Sequence, residues 1–446
     1  MQSSLAELQR VFAIQKRHQA VVKASNADAR INKLQRLKQA ILRNQEDIVE
    51  ALTTDLRRPR TSSPEFGAVI AEIDNAVIHL KKWMTPLEVN PSLPILGASA
   101  RIVREPRGVC ALYGPWNFPI LLVLQPLVAI VAAGNCAIVK PNELTPASSQ
   151  VIARIIAESF DEAEVAVFEG GVELAEQMQE LPFDHVFFTG SPAVGRTIMA
   201  AAARHLSSVT LELGGKCPVI IDHTVDLKDA AEKIIRGRCT NAGQLCLAPD
   251  HVWVRKDLRD ELVQHLCETV RTLFYPQGFL DKNAFGCIVN GRNLQRLQGY
   301  LQDALQRGAS LACGGEIEAA DLTVHPTVLI DVPATATIMQ EEIFGPLLPV
   351  MTWDSIDEAI RVINAHGKPL ALYVFSNDDA FVDNVLLHTS SGGVTHNDVI
   401  LHAVDPGLPF GGINGSGIGR YHGIHGFNEL SHERPVFSVP YVAKRG

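Results

Sequence analysis

The sequence predicts an α/β chain of two parallel-sheet units in series, on three observations. Short apolar runs alternate with segments of helical composition, the pattern of βαβ units whose sheets are covered on both faces. The alternation restarts after Gly214. At roughly 150 residues per domain, the 446 residues suffice for two or three cores.

Taken in order, residues 27–56 place Ile31, Leu34, Leu37, Ile41, Ile48 and Leu52 at helical spacing, which predicts a helix with one core-facing stripe. Strands follow at 109–114, 136–140, 165–170, 185–190 and 209–213, separated by helical segments at 118–133, 146–160, 171–180 and 192–205. From Gly108 to Val139 there is no charge, a run long enough on paper to span a bilayer. Pro115, Asn117, Pro119, Gln125, Pro126 and Asn135 interrupt it, so it reads as strand, turn, helix and strand of a buried core. The second series has strands at 217–222, 251–255, 347–353, 370–376 and 392–397, with helices beginning near 226 and ending near 272. The segment 405–426 is too rich in glycine for a helix or central strand and predicts a structured loop beside a site or an interface.

Composition excludes several classes. Lys plus Arg number 40 against 49 Asp plus Glu, a net charge of −9, which leaves no footprint for a nucleic-acid backbone. The eight cysteines form no C-x-x-C pair, so neither a zinc site nor a disulfide framework is expected, and reduced cytosolic thiols are. Glu7, Arg10, Lys16 and Arg17 interrupt any secretory apolar stretch, and the last residues carry neither an apolar tail nor a prenylation cysteine. His422, His425 and His432 make only a lone H-x-x-H, and no metal is assigned.

Five local patterns carry candidate chemistry, and each also reads as plain structure. Cys246, in Asn241-Ala-Gly-Gln-Leu-Cys246, is either a packing thiol or one exposed to a cleft near a helix end, where its thiolate is stabilised. Glu212 closes an apolar strand ahead of Gly214 and Gly215. It is a solvated strand exit or, at the carboxyl end of a sheet where ligands collect, a water-activating base. Asn117 between Pro115 and Pro119 is a turn residue or an amide donor suited to an oxyanion. Phe188-Thr-Gly-Ser191 opens a strand, glycine turn and helix, but lacks the G-x-G-x-x-G fingerprint and is not a P-loop; Lys140 and Glu143 end a strand as a solvated turn or as partners for ribose hydroxyls. Glu342 and Phe344 precede a Gly-Pro turn.

Together Phe188-Thr-Gly-Ser191, Leu211-Glu-Leu-Gly-Gly-Lys216, Gly243-Gln-Leu-Cys246, Glu341-Glu-Ile-Phe-Gly-Pro346 and Pro409-Phe-Gly-Gly412 resemble, in order and over nearly the whole chain, the signature motifs of the aldehyde dehydrogenase superfamily. Gly392-Gly-Val-Thr-His-Asn-Asp398 and Ser416-Gly-Ile-Gly-Arg-Tyr-His-Gly423 are similar to its class 3 branch, which handles medium- and long-chain aliphatic and aromatic aldehydes.

The resemblance implies a Rossmann-like cofactor-binding domain (1–87 and 104–213), a second α/β catalytic domain bearing the thiol (214–398), and bridging or oligomerisation segments (88–103 and 399–446). It implies covalent oxidation of an aldehyde to the acid: Cys246 as nucleophile, Asn117 and the Cys246 N–H as oxyanion donors, and Glu212 as the base that releases the acid. Lys140 and Glu143 are assigned to the adenosine ribose, Gly190 and Ser191 to the pyrophosphate, and Glu342 and Phe344 to the nicotinamide side. Glu143 favours NAD, with NADP use left open. Phe118, Val399, Ile400 and His402 are expected near the aldehyde tunnel. Leu245 and Pro192 depart from the usual pattern, beside the nucleophile and the pyrophosphate serine respectively. A cytoplasmic homodimer without a membrane anchor is expected, and a coenzyme A-acylating enzyme or a catalytically silent relative are the competing readings.

Overall fold

The computed structural model describes residues 5–60 and 65–441. Four helices come first: α1 (Leu5–Lys23), α2 (Ala27–Arg43), α3 (Gln45–Leu56) and α4 (Glu65–Trp83). The apolar stripe predicted over 27–56 is split between two of them. Leu34, Leu37, Ile41, Ile48 and Leu52 are fully buried. Asn44, however, donates from its side chain to the Ala40 carbonyl at 2.9 Å and ends α2 there, the local competition with the backbone that makes Asn a helix-terminus residue.

After β1 (Leu87–Val89) and β2 (Ser99–Pro106), which pair antiparallel, the first αβ series runs in the predicted order. It comprises β3 (Val109–Tyr113), α5 (Leu121–Ala133), β4 (Cys136–Lys140), α6 (Pro146–Ser159), β5 (Val165–Val167), α7 (Val172–Gln179), β6 (His185–Thr189), α8 (Pro192–Ala203) and β7 (Ser208–Glu212). The uncharged run therefore folds as strand, helix and strand. No helix among the described residues is long and apolar enough to cross a membrane.

The five strands pair in parallel in the order β7-β6-β3-β4-β5. The chain winds outward from β3 to β5 and then returns to β6 on the other side. The strand order thus reverses between β3 and β6, and ligands collect in the crevice at the carboxyl ends of strands at such a point. The turn holding Asn117 and the turn at Gly190 and Ser191 leave those two strand ends.

The second series contains β8 (Pro218–Ile221), α9 (Leu227–Cys239), β9 (His251–Arg255), α10 (Arg259–Phe274) and β10 (Ser310–Cys313). It continues with β11 (Ile317–Glu318), β12 (Thr323–Val324), β13 (Thr327–Ile330), β14 (Leu347–Trp353), β15 (Ala371–Phe375) and β16 (Gly393–His396). Seven of these strands form one sheet in the order β10-β13-β14-β9-β8-β15-β16, parallel except for the edge pair β10 and β13.

The C-terminal segment serves both the first sheet and the arm. β17 (Gly417–Ile418) lies antiparallel on β7 with Gly417 opposite Glu212, and β18 (Ser431–Ser438) pairs along all of β2. At Gly417 φ is +151°, and a Cβ there would collide with the Leu211 carbonyl. Gly417→Ala is accordingly expected to loosen this ladder by about 1–3 kcal/mol. The measurement is hydrogen exchange at the Leu213 amide, which donates to the Ser416 carbonyl at 3.1 Å; it should quicken while amides of β4 exchange as before.

Candidate active site

The two sheets meet where β7 ends and where the chain leaves α9. Past Cys239, Asn241, Ala242 and Gly243 take φ of +51°, +52° and +77°. Three consecutive left-handed residues are uncommon and reverse the chain within one turn. A side chain at Gly243 would strike the Gly345 backbone, so the close approach itself requires glycine. The turn delivers Leu245 and Cys246 half-buried between buried neighbours. Cys217 steadies it from below, its Sγ donating to the Cys246 carbonyl at 3.3 Å.

Glu212 faces this thiol. Its side chain is buried, and neither carboxyl oxygen has a hydrogen-bond partner. Burial pushes its pKa up to about 7, moderated by the neighbouring Cys246 thiol and Thr189 hydroxyl. Burial, followed by the charge of Glu212, pushes the Cys246 thiol well above its usual range. At rest the pair is a protonated thiol beside a carboxyl poised near neutrality.

Asn117 reaches the same point from the turn after β3. Its Nδ2 donates one hydrogen to the Gln244 carbonyl at 3.2 Å, which leaves the second available. Among the described residues the backbone N–H of Cys246 donates to nothing. Two N–H groups with spare capacity therefore stand at this turn, one on Cys246 itself and one on the Asn117 amide anchored two residues before it.

Next to this centre the structure gathers the residues proposed for a dinucleotide. Lys140, buried at the end of β4, pairs with Glu143 at 3.0 Å. The Gly190 amide donates to the Glu212 carbonyl at 3.0 Å, and Ser191 caps α8 by accepting from the Val194 amide at 3.4 Å. Pro192 occupies the first turn of α8, where its missing N–H leaves no bond unmade and its fixed φ suits the helix. The Glu342 carboxyl lies over Gly214, in the space a side chain there would fill. Burial and then the Asp250 charge push its pKa up to about 8. Phe344, at φ +46°, meets the Trp116 ring edge-on at 5.4 Å. A polarised helix start for a pyrophosphate and carboxyl and ammonium groups for ribose hydroxyls make a donor set that fits a dinucleotide.

The loop bearing Glu342 and Phe344 is held by residues that sequence reasoning did not single out. Lys216 donates to the Ile338 and Glu341 carbonyls at 2.8 and 3.0 Å, and Asp250 accepts from the Ile343 amide at 3.0 Å. Arg296 donates to the Ile343 carbonyl at 2.8 Å, and the fully buried Arg238 donates to the Gly345 carbonyl. Their sequence signal is slight: Lys216 ends the glutamate motif and Asp250 stands four residues after Cys246.

The four residues expected near a substrate tunnel have varied surroundings. Phe118 lies under the Arg58 guanidinium, whose Cζ is 4.1 Å from the ring centre. Val399 packs over Gly237, and Ile400 is half-buried at φ +70°. His402 accepts or donates through Nδ1 to the Thr395 hydroxyl at 2.7 Å, and burial lowers its pKa to about 4, so it is neutral. Among the described residues no group of His, Cys, Asp and Glu is arranged to hold a metal.

Paired parallel sheets with a thiol, a buried carboxyl and amide donors at their junction, beside a donor set that fits a dinucleotide, are the arrangement expected of an α/β oxidoreductase. Residues 1–436 match the aldehyde dehydrogenase family, and the chain belongs to it as an NAD(P)-dependent enzyme that oxidises aldehydes. It is 47% identical over 434 residues to AldX of Bacillus subtilis, covering 97% of each chain. It is 42% identical over 407 residues to the 4,4'-diaponeurosporen-aldehyde dehydrogenase of Staphylococcus aureus, covering 91% of this chain and 88% of that one. The substrate-bound structure of Staphylococcus aureus AldH superposes with a TM-score of 0.94 at 39% identity, covering 98% of this chain and 95% of the other.

The thiol and carboxyl make a direct prediction about titration. Replacing Glu212 by Gln removes a negative charge that holds the Cys246 proton on, so the pH midpoint of Cys246 alkylation by iodoacetamide should move down. It should stay above that of a free thiol, because burial remains. A midpoint that is unchanged or higher would contradict the coupling.

Proposed function

We propose that this cleft oxidises apolar aldehydes, aliphatic of medium or long chain or aromatic, to the free acid, with Cys246 as nucleophile, Asn117 as oxyanion donor and Glu212 as base. The observation that carries this is the buried Glu212 carboxyl, without a well-formed hydrogen bond and next to the half-buried thiol of Cys246.

The order of acidities sets the chemistry. Because the Cys246 thiol is the weaker acid, its proton passes to Glu212 as the bond from sulfur to the aldehyde carbon forms, not beforehand. Negative charge then develops on the former carbonyl oxygen, where the free Nδ2 hydrogen of Asn117 and the Cys246 N–H can meet it. NAD or NADP, when bound, supplies the acceptor for the hydride that leaves this carbon. Lys140, Glu143, Gly190, Ser191, Glu342 and Phe344 would hold it, Glu143 favouring NAD by repelling a 2′-phosphate. Cys246 then bears a thioester, and Glu212, having released its first proton, takes another from the attacking water. Sulfur leaves with the electron pair of its bond to carbon, and the acid departs.

The name of the diaponeurosporen-aldehyde relative supports a long apolar substrate. A homodimer through the three-stranded arm is part of the proposal, supported by exposed Leu87, Val89, Phe437 and Val439 on its strands and their flanks. So is a cytoplasmic location, on the cysteine usage.

Purified protein given NAD or NADP with octanal or benzaldehyde should produce reduced nicotinamide. Glu212→Gln should yield at most about one equivalent per site and then stall as thioester accumulates. Steady turnover by Glu212→Gln at neutral pH would remove Glu212 from the hydrolytic step.

A further inference from the structure

Asn117 belongs to the first sheet and Cys246 to a turn of the second, so something must fix one against the other. The Asn117 carbonyl accepts from two side chains at once: the Arg58 guanidinium, through Nη2, and Asn241 Nδ2 at 2.9 Å. Arg58 itself is buried. Its Nη1 pairs with Glu65, its Nε donates to Asn241 Oδ1 at 3.1 Å, and its flat face covers the Phe118 ring.

Glu65, also fully buried, accepts with its other oxygen from the Ile120 and Leu121 amides at 3.0 and 2.8 Å, at the start of α5. The five residues from Asn117 to Leu121 are thus gripped at both ends by one ion pair. Asn241 closes the bracket, since its Nδ2 also donates to the Gln244 carbonyl at 3.2 Å, the acceptor that Asn117 Nδ2 reaches.

Burying an ion pair costs desolvation, and an apolar pair of the same volume commonly stabilises a core as well or better. What an apolar pair lacks is direction. A planar guanidinium sends hydrogen bonds along three fixed lines, and a lysine ammonium has no such fork. Here those lines end on Glu65, on the Asn117 carbonyl and on Asn241, one residue of each element that must be aligned.

We propose that Arg58, acting with Asn241, is a positioning residue that aims the Asn117 amide at the oxygen of the substrate adduct on Cys246. The proposal rests on the reading of Asn117 as oxyanion donor.

The test uses two reactions of Cys246 that need no cofactor. Acylation by p-nitrophenyl acetate builds an oxyanion, whereas alkylation by iodoacetamide is a displacement at saturated carbon that builds none. Arg58→Lys keeps a cation opposite Glu65 and loses the fork. It should slow acylation, and kcat for aldehyde oxidation, by about 10- to 100-fold, while KM and the alkylation rate change by less than about twofold. In an Asn117→Ala background the same change should add less than about twofold, because the donor it aims is gone.

Additive losses, equal losses in alkylation and acylation, or undiminished acylation by Arg58→Lys would overturn the proposal alone. Undiminished acylation by Asn117→Ala would overturn the oxyanion reading and the proposal with it. Should Arg58→Lys fail to fold, Asn241→Gly keeps the left-handed turn and removes the second donor. The same split between acylation and alkylation is then expected, and its absence overturns the proposal.

Discussion

Ionising the Glu212 carboxyl means placing a charge in a buried site where only the Cys246 thiol and the Thr189 hydroxyl stand near it and neither oxygen has a well-formed hydrogen bond, a costly arrangement in a protein interior. That cost moves its proton equilibrium to near neutrality, while burial and then the Glu212 charge keep the proton on the neighbouring thiol. The backbone holds Glu212 in this uncomfortable place from both sides. Its carbonyl accepts from Gly190, and Gly417 of β17 lies opposite it. Strand pairing thereby keeps in position a side chain that would otherwise swing out to water.

The loops around the junction present a second constraint. Irregular backbone buried between two sheets exposes carbonyl groups with no strand or helix partner, and each must be satisfied. In this protein buried cations do so repeatedly: Arg58 at Asn117, Lys216 at Ile338 and Glu341, and Arg238 at Pro249 and Gly345. Arg296 adds the same support at Glu342, Ile343 and Phe344. The arrangement satisfies these loop carbonyls as a strand or helix partner otherwise would.

Much of the fold is legible in the sequence because parallel strands buried on both faces write continuous apolar runs. Residues 136–140, 251–255 and 347–353 are strands over those same bounds. The broken helix at Asn44 escapes because the apolar stripe continues on either side of the break. β10 to β13 escape because strands of two to four residues, partly half-exposed, give no period to read. At the site, the thiol, the acid and the amide stand in recognisable local motifs, and the structure brings Asn117, Glu212 and Cys246 together. The clamps do not show, since Arg58 lies 59 positions from Asn117 and Arg238 lies 107 from Gly345. An arginine in sequence reads as surface, and only the folded chain reveals that a distant carbonyl has drawn it inside.

Acylation of one sulfur in every cycle is the central step of the proposed chemistry. Mixing the protein with an aldehyde and NAD, quenching in acid, and mapping peptides by mass tests this most directly. The peptide holding Cys246 should carry the mass of the substrate acyl group, in greater amount in Glu212→Gln than in the parent. An acyl group on another residue, or acid formed by a Cys246→Ala variant, would contradict it.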